Sequence, residues 1–469
     1  MSVFKRDAAS VSPRGGSVRI LRPLAAAVCL TVLFGVAAVR ASAAPAGTNP
    51  GRECRSQVFD RITPEDIPSD GAVGNVRTYV RPDALLPMEA SAETEGYIPL
   101  VMIVVGFEGQ PYQAEYDWSA SIFRDGKSLC RYYRDMSSGR FTFLPVRENS
   151  AYGTGGNANL CDRVDDGIIH VSLDMVKERG WAIEDYDREG DLENMTAFAK
   201  ALHIAGEYMD FRAYDSNGNG KIENGELAVG FVVAGRDAAW RGSVAPSLRK
   251  YYSWPNAYSF SECRKAWKRN PDGFPDVPVI DGVEVDGFIS IAESYEPDRR
   301  YDSSGSNLAQ ESFGTLAHEL GHYLGLPDLY GAGWNGPWQA YDSLYLSLMN
   351  MGNYGTDPDG NPVPYSLDAW SRVTLGWADP EELLPGRNNA RRIAGVFDES
   401  SGLPTVLRIH TEKSGESYLI ENRRFTGWDA GMEKYYPDAA GPDGEDPGGG
   451  YNKNMHQPAD TDPLPEFQE

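Results

Sequence analysis

The chain of 469 residues is long enough for two or three domains of ordinary size, each with a buried core. Hydrophobic residues make up 41% of it and aromatic residues 11%, which indicates a largely folded protein. Its 44 Lys and Arg against 68 Asp and Glu give a formal net charge of −24. This balance argues against binding to nucleic acids or anionic membranes, because both need a basic surface.

The first 43 residues have the three-part layout of a secretory signal peptide. A basic leader precedes an apolar run at residues 24–39, and the small residues Ala41, Ser42 and Ala43 then form a cleavage signal. An uncleaved membrane anchor is the alternative, but this run is shorter than the roughly 20 residues that a spanning helix needs. We therefore expect residues 1–43 to be removed and the protein to be secreted, without stable membrane insertion.

Residues 44–96 are rich in Pro, Gly, Ala, Ser and Glu and show little hydrophobic periodicity, which is typical of a linker or pro-segment. A continuous apolar run predicts a buried strand at residues 98–107. Further along, the pattern predicts a helix at residues 128–137, a strand at 139–146 and a second helix at 194–212. Helices that alternate with apolar strands indicate an α/β fold.

Residues 215–226 have the spacing of a 12-residue calcium-binding loop, with Gly220 at its sixth position and Ile222 at its eighth. The ligand positions of that loop are filled by Asp215, Asn217, Asn219, Lys221 (through its backbone carbonyl) and Glu226. A polar turn without an ion is the alternative. Since no second such loop is convincing, we expect one structural Ca²⁺ at a corner between a helix and a strand.

The strongest chemical signal lies in a helix predicted at residues 307–324, after two further β-rich runs at 227–234 and 283–291. Asn307 is its expected cap, and Gln310 completes a capping box. His318 and His322 are four residues apart, so both imidazoles lie on one face of the helix and can reach one metal ion. Glu319 beside them can take a proton from metal-bound water. Two surface histidines and a glutamate are the alternative.

A catalytic zinc ion needs a third protein ligand, and Asp328 is the first candidate. Gly325 can end the helix in a left-handed conformation, and Asp328 follows three residues later. This copies the extended His-Glu-x-x-His-x-x-Gly-x-x-His motif with Asp in the last place, and a carboxylate is a competent zinc ligand. A turn residue is the alternative for Asp328, with Glu293 and Asp342 as other candidate ligands.

A tight turn that contains methionine is expected at residues 347–352, where it would form an apolar floor under the metal ion. Met349 is the first choice for this floor and Met351 the alternative. Tyr354 could stabilise an oxyanion, although an ordinary core or surface position suits a tyrosine equally.

After residue 379 the pattern becomes β-rich, with short runs at 392–397, 405–411 and 417–425. We therefore assign residues 380–436 to a β-rich extension. The Gly-, Pro- and acid-rich residues 437–469 are expected to form a disordered tail.

Several blocks of this sequence resemble the immune-inhibitor-A-like family of secreted metallopeptidases, a metzincin-related group. The similar blocks are residues 101–107, 131–139, 318–330, 348–349, 368–370, 375–377 and 421–423. The resemblance covers residues 97–436 at most and departs after Phe425, where the family continues with apolar strands. The last β unit is therefore expected to be truncated.

This resemblance implies a secreted zinc endopeptidase made as a proenzyme, with a metzincin-like α/β catalytic domain at residues 97–379. That domain would combine a twisted mixed sheet with the helix that carries the active site. The resemblance implies zinc ligation by His318, His322 and Asp328, with Glu319 as general base for a zinc-activated water, and a calcium loop before the following strand. The expected partners are protein or peptide substrates, with no nucleic acid, and the protein is expected to be a monomer.

Two other functional classes stay open: a secreted binding module held by calcium with a vestigial zinc site, and a zinc hydrolase of a non-peptide amide. The cysteines left after signal cleavage are Cys54, Cys130, Cys161 and Cys263. In an oxidising compartment they are expected to form two disulfides, whose pairing the sequence does not give. Alternatively, Cys54 in the pro-segment could block the catalytic metal.

Overall fold

The structure is a computed structural model. It describes residues 32–33, 96–124, 126–150, 162–178, 188–241, 245–267, 277–297, 301–329, 346–383, 391–398, 400–410 and 417–434. Three predicted segments lie outside these residues: most of the signal peptide, the linker as far as residue 95, and the acidic tail. The same is true of Asp342, Cys54 and Cys161. The predictions made for those segments stay predictions.

The described residues form strands, α-helices and 3₁₀ helices with the following bounds. The strands are β1 Val32–Leu33, β2 Gly96–Glu108, β3 Phe141–Pro145, β4 Ile168–Val176, β5 Lys221–Ile222, β6 Ala228–Asp237, β7 Tyr252–Ser253, β8 Asn256–Ser259, β9 Val279–Ile280, β10 Val283–Val285, β11 Gly287–Tyr295, β12 Ala309–Gln310, β13 Glu381–Leu383, β14 Val406–His410 and β15 Ser417–Glu421. The α-helices are α1 Trp118–Phe123, α2 Leu129–Met136, α3 Arg188–Ala205, α4 Ala238–Arg241, α5 Phe260–Trp267, α6 Phe313–Tyr323 and α7 Ala369–Thr374. The 3₁₀ helices are Phe211–Tyr214, Pro246–Tyr251, Met351–Tyr354 and Gly427–Lys434.

The main sheet is mixed and is built around three parallel strands in the order β11, β6 and β2. Strands β3 and β4 both pair in parallel with β2, one along its first half and the other along its second half. The short strands β8 and β12 run antiparallel to β11 at the opposite edge. The predicted α/β class is therefore confirmed, and the apolar run at 98–107 forms the buried central strand β2.

Strand β2 divides the hydrophobic core in two, because successive side chains of a strand point to opposite faces. Leu100, Met102 and Val104 face one cluster, which includes α2 and α6, while Val101 and Ile103 face the other, which includes α3. All five are at most 1% exposed. Complete burial of such side chains contributes about 1.5–3 kcal/mol each.

Helix α6 is shorter than the pattern predicted, and the expected cap at Asn307 is wrong. The helix begins at Phe313, and its N-cap is Ser312, whose Oγ accepts a hydrogen bond from Gly314 N at 3.0 Å. Residues Ala309–Gln310 instead form β12, which pairs with the end of β11. This strand pairing prevents the helix from beginning earlier. Helix α3 likewise ends at Ala205, before the predicted residue 212.

The C-terminal strands β13, β14 and β15 form a separate small sheet, in which β1 pairs with β15. The predicted strand at 392–397 is wrong: this segment makes only an isolated bridge through Gly395. The 3₁₀ helix Gly427–Lys434 returns to the main core, where Trp428 donates a hydrogen bond to Asp135 Oδ2 at 3.0 Å. The C-terminal extension therefore shares the hydrophobic core beside α6.

Cys130 is buried in α2, and its thiol donates a hydrogen bond to Phe143 O at 2.9 Å. Burial raises the pKa of this thiol well above its usual range, and Cys130 forms no disulfide. The expectation of two disulfides is therefore wrong, because it requires all four of the remaining cysteines. Pairing among Cys54, Cys161 and Cys263 stays a prediction. None of the helices in the described segments is both long enough and apolar enough to cross a lipid bilayer.

Candidate metal centre

Helix α6 brings the two predicted histidine ligands together on one face. The rings of His318 and His322 are nearly perpendicular, with centroids 4.8 Å apart, as expected for side chains one helical turn apart. The helix is held from below by Tyr133 of α2, whose hydroxyl donates a hydrogen bond to Ala317 O at 2.6 Å. Tyr133 is fully buried, so this contact holds α6 at a fixed distance from α2.

The end of α6 turns the chain back so that Asp328 meets both histidines. Gly325 has φ +91°, and its N–H donates to His322 O at 2.8 Å, while Leu326 N donates to Gly321 O at 2.9 Å. This pair of bonds is the Schellman motif, which requires a left-handed residue and so favours glycine. As a result, Asp328 Oδ1 lies 3.1 Å from His318 Nε2 and 3.2 Å from His322 Nε2.

The two imidazoles are oriented by backbone carbonyl groups. His318 Nδ1 lies 2.9 Å from Leu348 O, and His322 Nδ1 lies 2.8 Å from Leu326 O. A carbonyl oxygen only accepts hydrogen bonds, so both Nδ1 atoms must carry the hydrogen. In the neutral rings, each Nε2 then presents a lone pair towards Asp328, the arrangement that a metal-ligating histidine adopts.

Two lone pairs and a carboxylate oxygen repel one another unless a cation lies between them, and the donor set suits zinc. Protons can take this place when no metal ion is bound. Burial lowers the pKa of His322, but its hydrogen bond to Asp328 outweighs this effect and raises the pKa to about 9. Burial alone would raise the pKa of the Asp328 carboxyl, but the two histidines hold this pKa well below its usual range. Protons and a metal ion therefore compete for the site.

Glu319 is buried beside the two histidines, and its carboxylate accepts no hydrogen bond from any described residue. Burial raises its pKa, and the nearby histidines His318 and His322 partly offset this effect. A carboxylate with a raised pKa is a better proton acceptor near neutral pH than an ordinary glutamate. This position and environment suit a general base.

The predicted methionine turn lies directly beneath α6. Met349 is fully buried, and a Cβ atom added at Gly321 would overlap its sulfur. Met349 O also accepts a hydrogen bond from Leu329 N at 2.8 Å, next to the third ligand. Met349 therefore lies under α6, where the floor was predicted, whereas Met351 begins the next 3₁₀ helix and is only partly buried. The role of Met349 as a floor under a metal ion stays a prediction. The proposed role of Tyr354 stays a prediction.

His318, His322 and Asp328 form a group of three whose ligand atoms all lie within 4.8 Å of one another. Among the described residues, no other group of three or more His, Cys, Asp or Glu side chains does so. Glu293 is outside this cluster. It is buried in β11, where its carboxylate accepts hydrogen bonds from the backbone N–H groups of Gln113 and Gly235. It has the environment of a structural carboxyl group.

The predicted calcium loop is closed by hydrogen bonds to its own carboxylates. Asp215 Oδ2 accepts from Gly220 N at 2.9 Å, and Glu226 Oε1 accepts from Asn217 N at 3.2 Å. Asn219 Oδ1 accepts from Lys221 N at 2.9 Å, and the Lys221 side chain forms an ion pair outside the loop. The loop thus turns its predicted oxygen ligands inwards.

This loop also contacts the end of α6. The hydroxyl of Tyr323 accepts a hydrogen bond from Gly225 N at 2.7 Å and donates one to Leu227 O at 3.3 Å. Tyr323 is the last residue of α6, so the loop is in direct contact with the helix that carries His318 and His322.

The side chain of Glu223 and the carbonyl groups of two leucines lie at these sites but were not predicted from the sequence. Glu223 occupies the ninth position of the calcium loop, often a ligand position, and its Oε2 accepts from Asn217 Nδ2 at 3.2 Å. The loop spacing could have identified it. The carbonyl groups of Leu326 and Leu348 could not have been identified, because only the folded backbone brings them to the histidines.

A scan of the chain against models of known protein families finds no match, and a search of curated proteins finds none either. The resemblance to the immune-inhibitor-A-like metallopeptidases therefore rests on the motifs quoted above.

The contact between Gly321 and Met349 gives a first prediction. Gly321→Ala should destabilise the protein by about 1–3 kcal/mol, because the new methyl group overlaps the sulfur of the fully buried Met349. In a double-mutant cycle by urea unfolding, Met349→Ala should remove at least about 1 kcal/mol of this penalty. Strictly additive effects would contradict the contact.

A second prediction concerns Glu293, whose pKa burial raises to about 8 although its backbone hydrogen bonds oppose this shift. Between about pH 4.5 and pH 8, unfolding releases this proton, so raising the pH lowers stability through this group. Glu293→Gln should therefore gain stability relative to wild type from pH 5 to pH 8, as measured by urea unfolding at each pH. Bound zinc should not change. Parallel pH profiles, or loss of zinc, would contradict the structural assignment.

Proposed function

We propose that the protein is a secreted zinc-dependent endopeptidase with a metzincin-like catalytic domain. The observation that carries the proposal is the convergence of His318, His322 and Asp328, with both imidazoles oriented by backbone carbonyls. Three protein ligands leave room for water or substrate at a tetrahedral zinc ion, which is the pattern of catalytic sites and not of structural ones. Glu319 beside them adds a buried proton acceptor.

Each residue of the site has a distinct role in the proposed reaction. His318, His322 and Asp328 would hold Zn²⁺, which supplies a water of lowered pKa and polarises the scissile carbonyl group. Glu319 accepts the proton of the attacking water and later delivers it to the leaving amine. Burial raises the pKa of Glu319, which makes its carboxylate a stronger proton acceptor than an ordinary glutamate.

The proposal includes export and the state of the protein outside the cell. The proposed signal peptide at residues 1–43 directs secretion, and residues 44–96 act as a linker or pro-segment. The substrates are proteins or peptides, and the enzyme acts as a monomer without binding nucleic acid. Residues 1–43 hold six Lys and Arg and one Asp, a net charge of +5, so their removal changes the formal charge from −24 to −29, which favours a dispersed chain after export.

The decisive test compares wild type with Glu319→Gln. Both proteins should bind one zinc ion, and the variant should cleave an unstructured protein substrate at least about 100-fold more slowly, since general bases contribute 10²–10⁴-fold. Zinc is counted by elemental analysis, and turnover is measured on casein with Ca²⁺ present. Glu293→Gln is the matched control, because it removes a buried carboxylate outside the cluster.

Each alternative gives a different outcome in this test. Equal cleavage by wild type and Glu319→Gln would contradict the role of Glu319. Absence of zinc from the wild-type protein would favour a calcium-held binding module. Bound zinc without cleavage of casein, but with release of acyl groups from a non-peptide amide, would favour the other hydrolase class.

We also propose that residues 215–226 bind one structural Ca²⁺. The support is the match to the loop spacing, together with the inward-facing oxygens of Asp215, Asn217, Asn219 and Glu226. Gly218 and Gly220 have φ +70° and +83°, which permits the sharp turns that such a loop needs. The backbone carbonyl of Lys221 completes the proposed ligand set.

Calcium should therefore stabilise wild type but not Asp215→Ala. At a free Ca²⁺ concentration of 100 times the dissociation constant, linkage gives about 2.7 kcal/mol of stabilisation. Thermal unfolding with Ca²⁺ and with a chelator measures the shift. Asp302→Ala is the control, because Asp302 also accepts hydrogen bonds within a polar turn but lacks the loop spacing. An equal Ca²⁺ response in wild type and Asp215→Ala would contradict the site.

A further inference from the structure

The guanidinium group of Arg423 is buried where the C-terminal extension meets the segments that support the metal centre. Its Nη2 donates to Leu346 O at 2.7 Å and to Leu367 O at 3.1 Å. Its Nη1 donates to Ser366 Oγ at 2.7 Å. The side chain is 4% exposed, so these bonds are shielded from water. Arg423 thus joins two chain segments that are about twenty residues apart.

Both segments belong to the support of the methionine turn. Leu346 immediately precedes this turn, whose Leu348 N donates to Ser366 O at 3.3 Å. Ser347 Oγ donates to Asp368 Oδ2 at 2.6 Å, and Met349 N donates to Ser347 Oγ at 3.2 Å. The position of Leu348 O, the acceptor for His318 Nδ1, therefore depends on how these two segments are held together.

Two carboxylates fix the orientation of Arg423. Its Nε donates to Glu421 Oε1 at 2.9 Å, and its Nη1 donates to Asp429 Oδ2 at 2.9 Å. Asp429 also accepts hydrogen bonds from both the backbone N–H and the hydroxyl of Ser366. A planar guanidinium with five donors can satisfy all these acceptors at once, whereas a lysine ammonium has only three donors and no fixed plane.

A general structural role is the competing explanation, and a neighbouring arginine separates the two. Arg372 of α7 is equally buried and donates to the same carboxylate, at Glu421 Oε2, at 3.0 Å. Within the described part of the chain, its side chain makes no hydrogen bond to the methionine turn or to residues 366–367. The two arginines therefore differ in their contact with the support of His318, and not in burial or charge.

We propose that Arg423 is a positioning residue for the metal centre, acting through the methionine turn and Leu348 O on the orientation of His318. The inference deepens the proposed zinc site and rests on it. It makes the C-terminal extension, which supplies Arg423, Glu421 and Asp429, a part of the metal-binding unit. Changes in such supporting contacts typically weaken metal binding about 10–100-fold.

The test measures Co²⁺ binding to the full secreted chain, with Arg423→Lys compared with Arg372→Lys. Both substitutions keep a positive charge, and both lose a guanidinium contact with Glu421. Arg423→Lys should bind Co²⁺ at least about tenfold more weakly than wild type and show altered visible absorption of the bound ion. Arg372→Lys should keep the wild-type affinity and spectrum. All titrations are made well below the unfolding temperature of each variant.

Wild-type Co²⁺ affinity in Arg423→Lys would overturn the inference, as would an equal loss in both variants, which would indicate a general effect of stability. Failure of wild type to bind Co²⁺ would overturn the metal centre itself, so the two failures are distinguishable. If Arg423→Lys does not fold, Asp429→Asn is compared with the same control by the same criteria, because it removes the charge that holds the guanidinium group.

Discussion

The hydrogen bond from His318 Nδ1 to Leu348 O is the contact on which the proposed metal centre depends. It selects the ring nitrogen that faces Asp328, and it makes the methionine turn part of the site. Metal-ligating histidines need such a partner, since an unrestrained ring could rotate or change tautomer. The acceptor is a backbone group, so its position is set by the packing of the turn and not by the identity of its side chain. The orientation of His318 therefore depends on the buried residues that pack beneath α6.

That buried structure links the main sheet to the three proposed metal ligands through a series of direct contacts. Strand β3 holds α2, since Thr142 Oγ1 donates a hydrogen bond to Cys130 O. The hydroxyl of Tyr133 supports α6 at Ala317 O, and Met349 fills the space under Gly321. Each of these contacts lies in a close-packed interior, where a change of one methyl group is felt. The loop proposed to bind calcium contacts the C-terminal end of α6 through Tyr323. The helix is therefore held at its middle by the core and at its end by the loop.

The sequence pattern predicted the features that local chemistry determines. A continuous apolar run specified β2, and Gly325 specified the turn that brings Asp328 to the histidines. The pattern was wrong where strand pairing decides the structure. Near Asn307, residues predicted to be helical form β12 and pair with β11. The segment around Gly395, predicted to be a strand, makes only an isolated bridge. Arg423 lies in one of the blocks that resemble the metallopeptidase family, but the pattern assigns it no role, because its partners lie far away in sequence. Long-range polar contacts carry no local signal.

The return of Trp428 to the main core has a consequence for the order in which the protein forms. Its hydrogen-bond partner Asp135 lies 293 positions earlier in the chain, and the contact between Tyr132 and Tyr365 spans 233 positions. A chain that leaves the ribosome or an export channel from its N-terminus cannot close this part of the core until residue 428 has emerged. Such distant pairings form late, because loop closure must precede any gain from the contact. Synthesis up to at least residue 428 therefore comes before completion of the core beside α6.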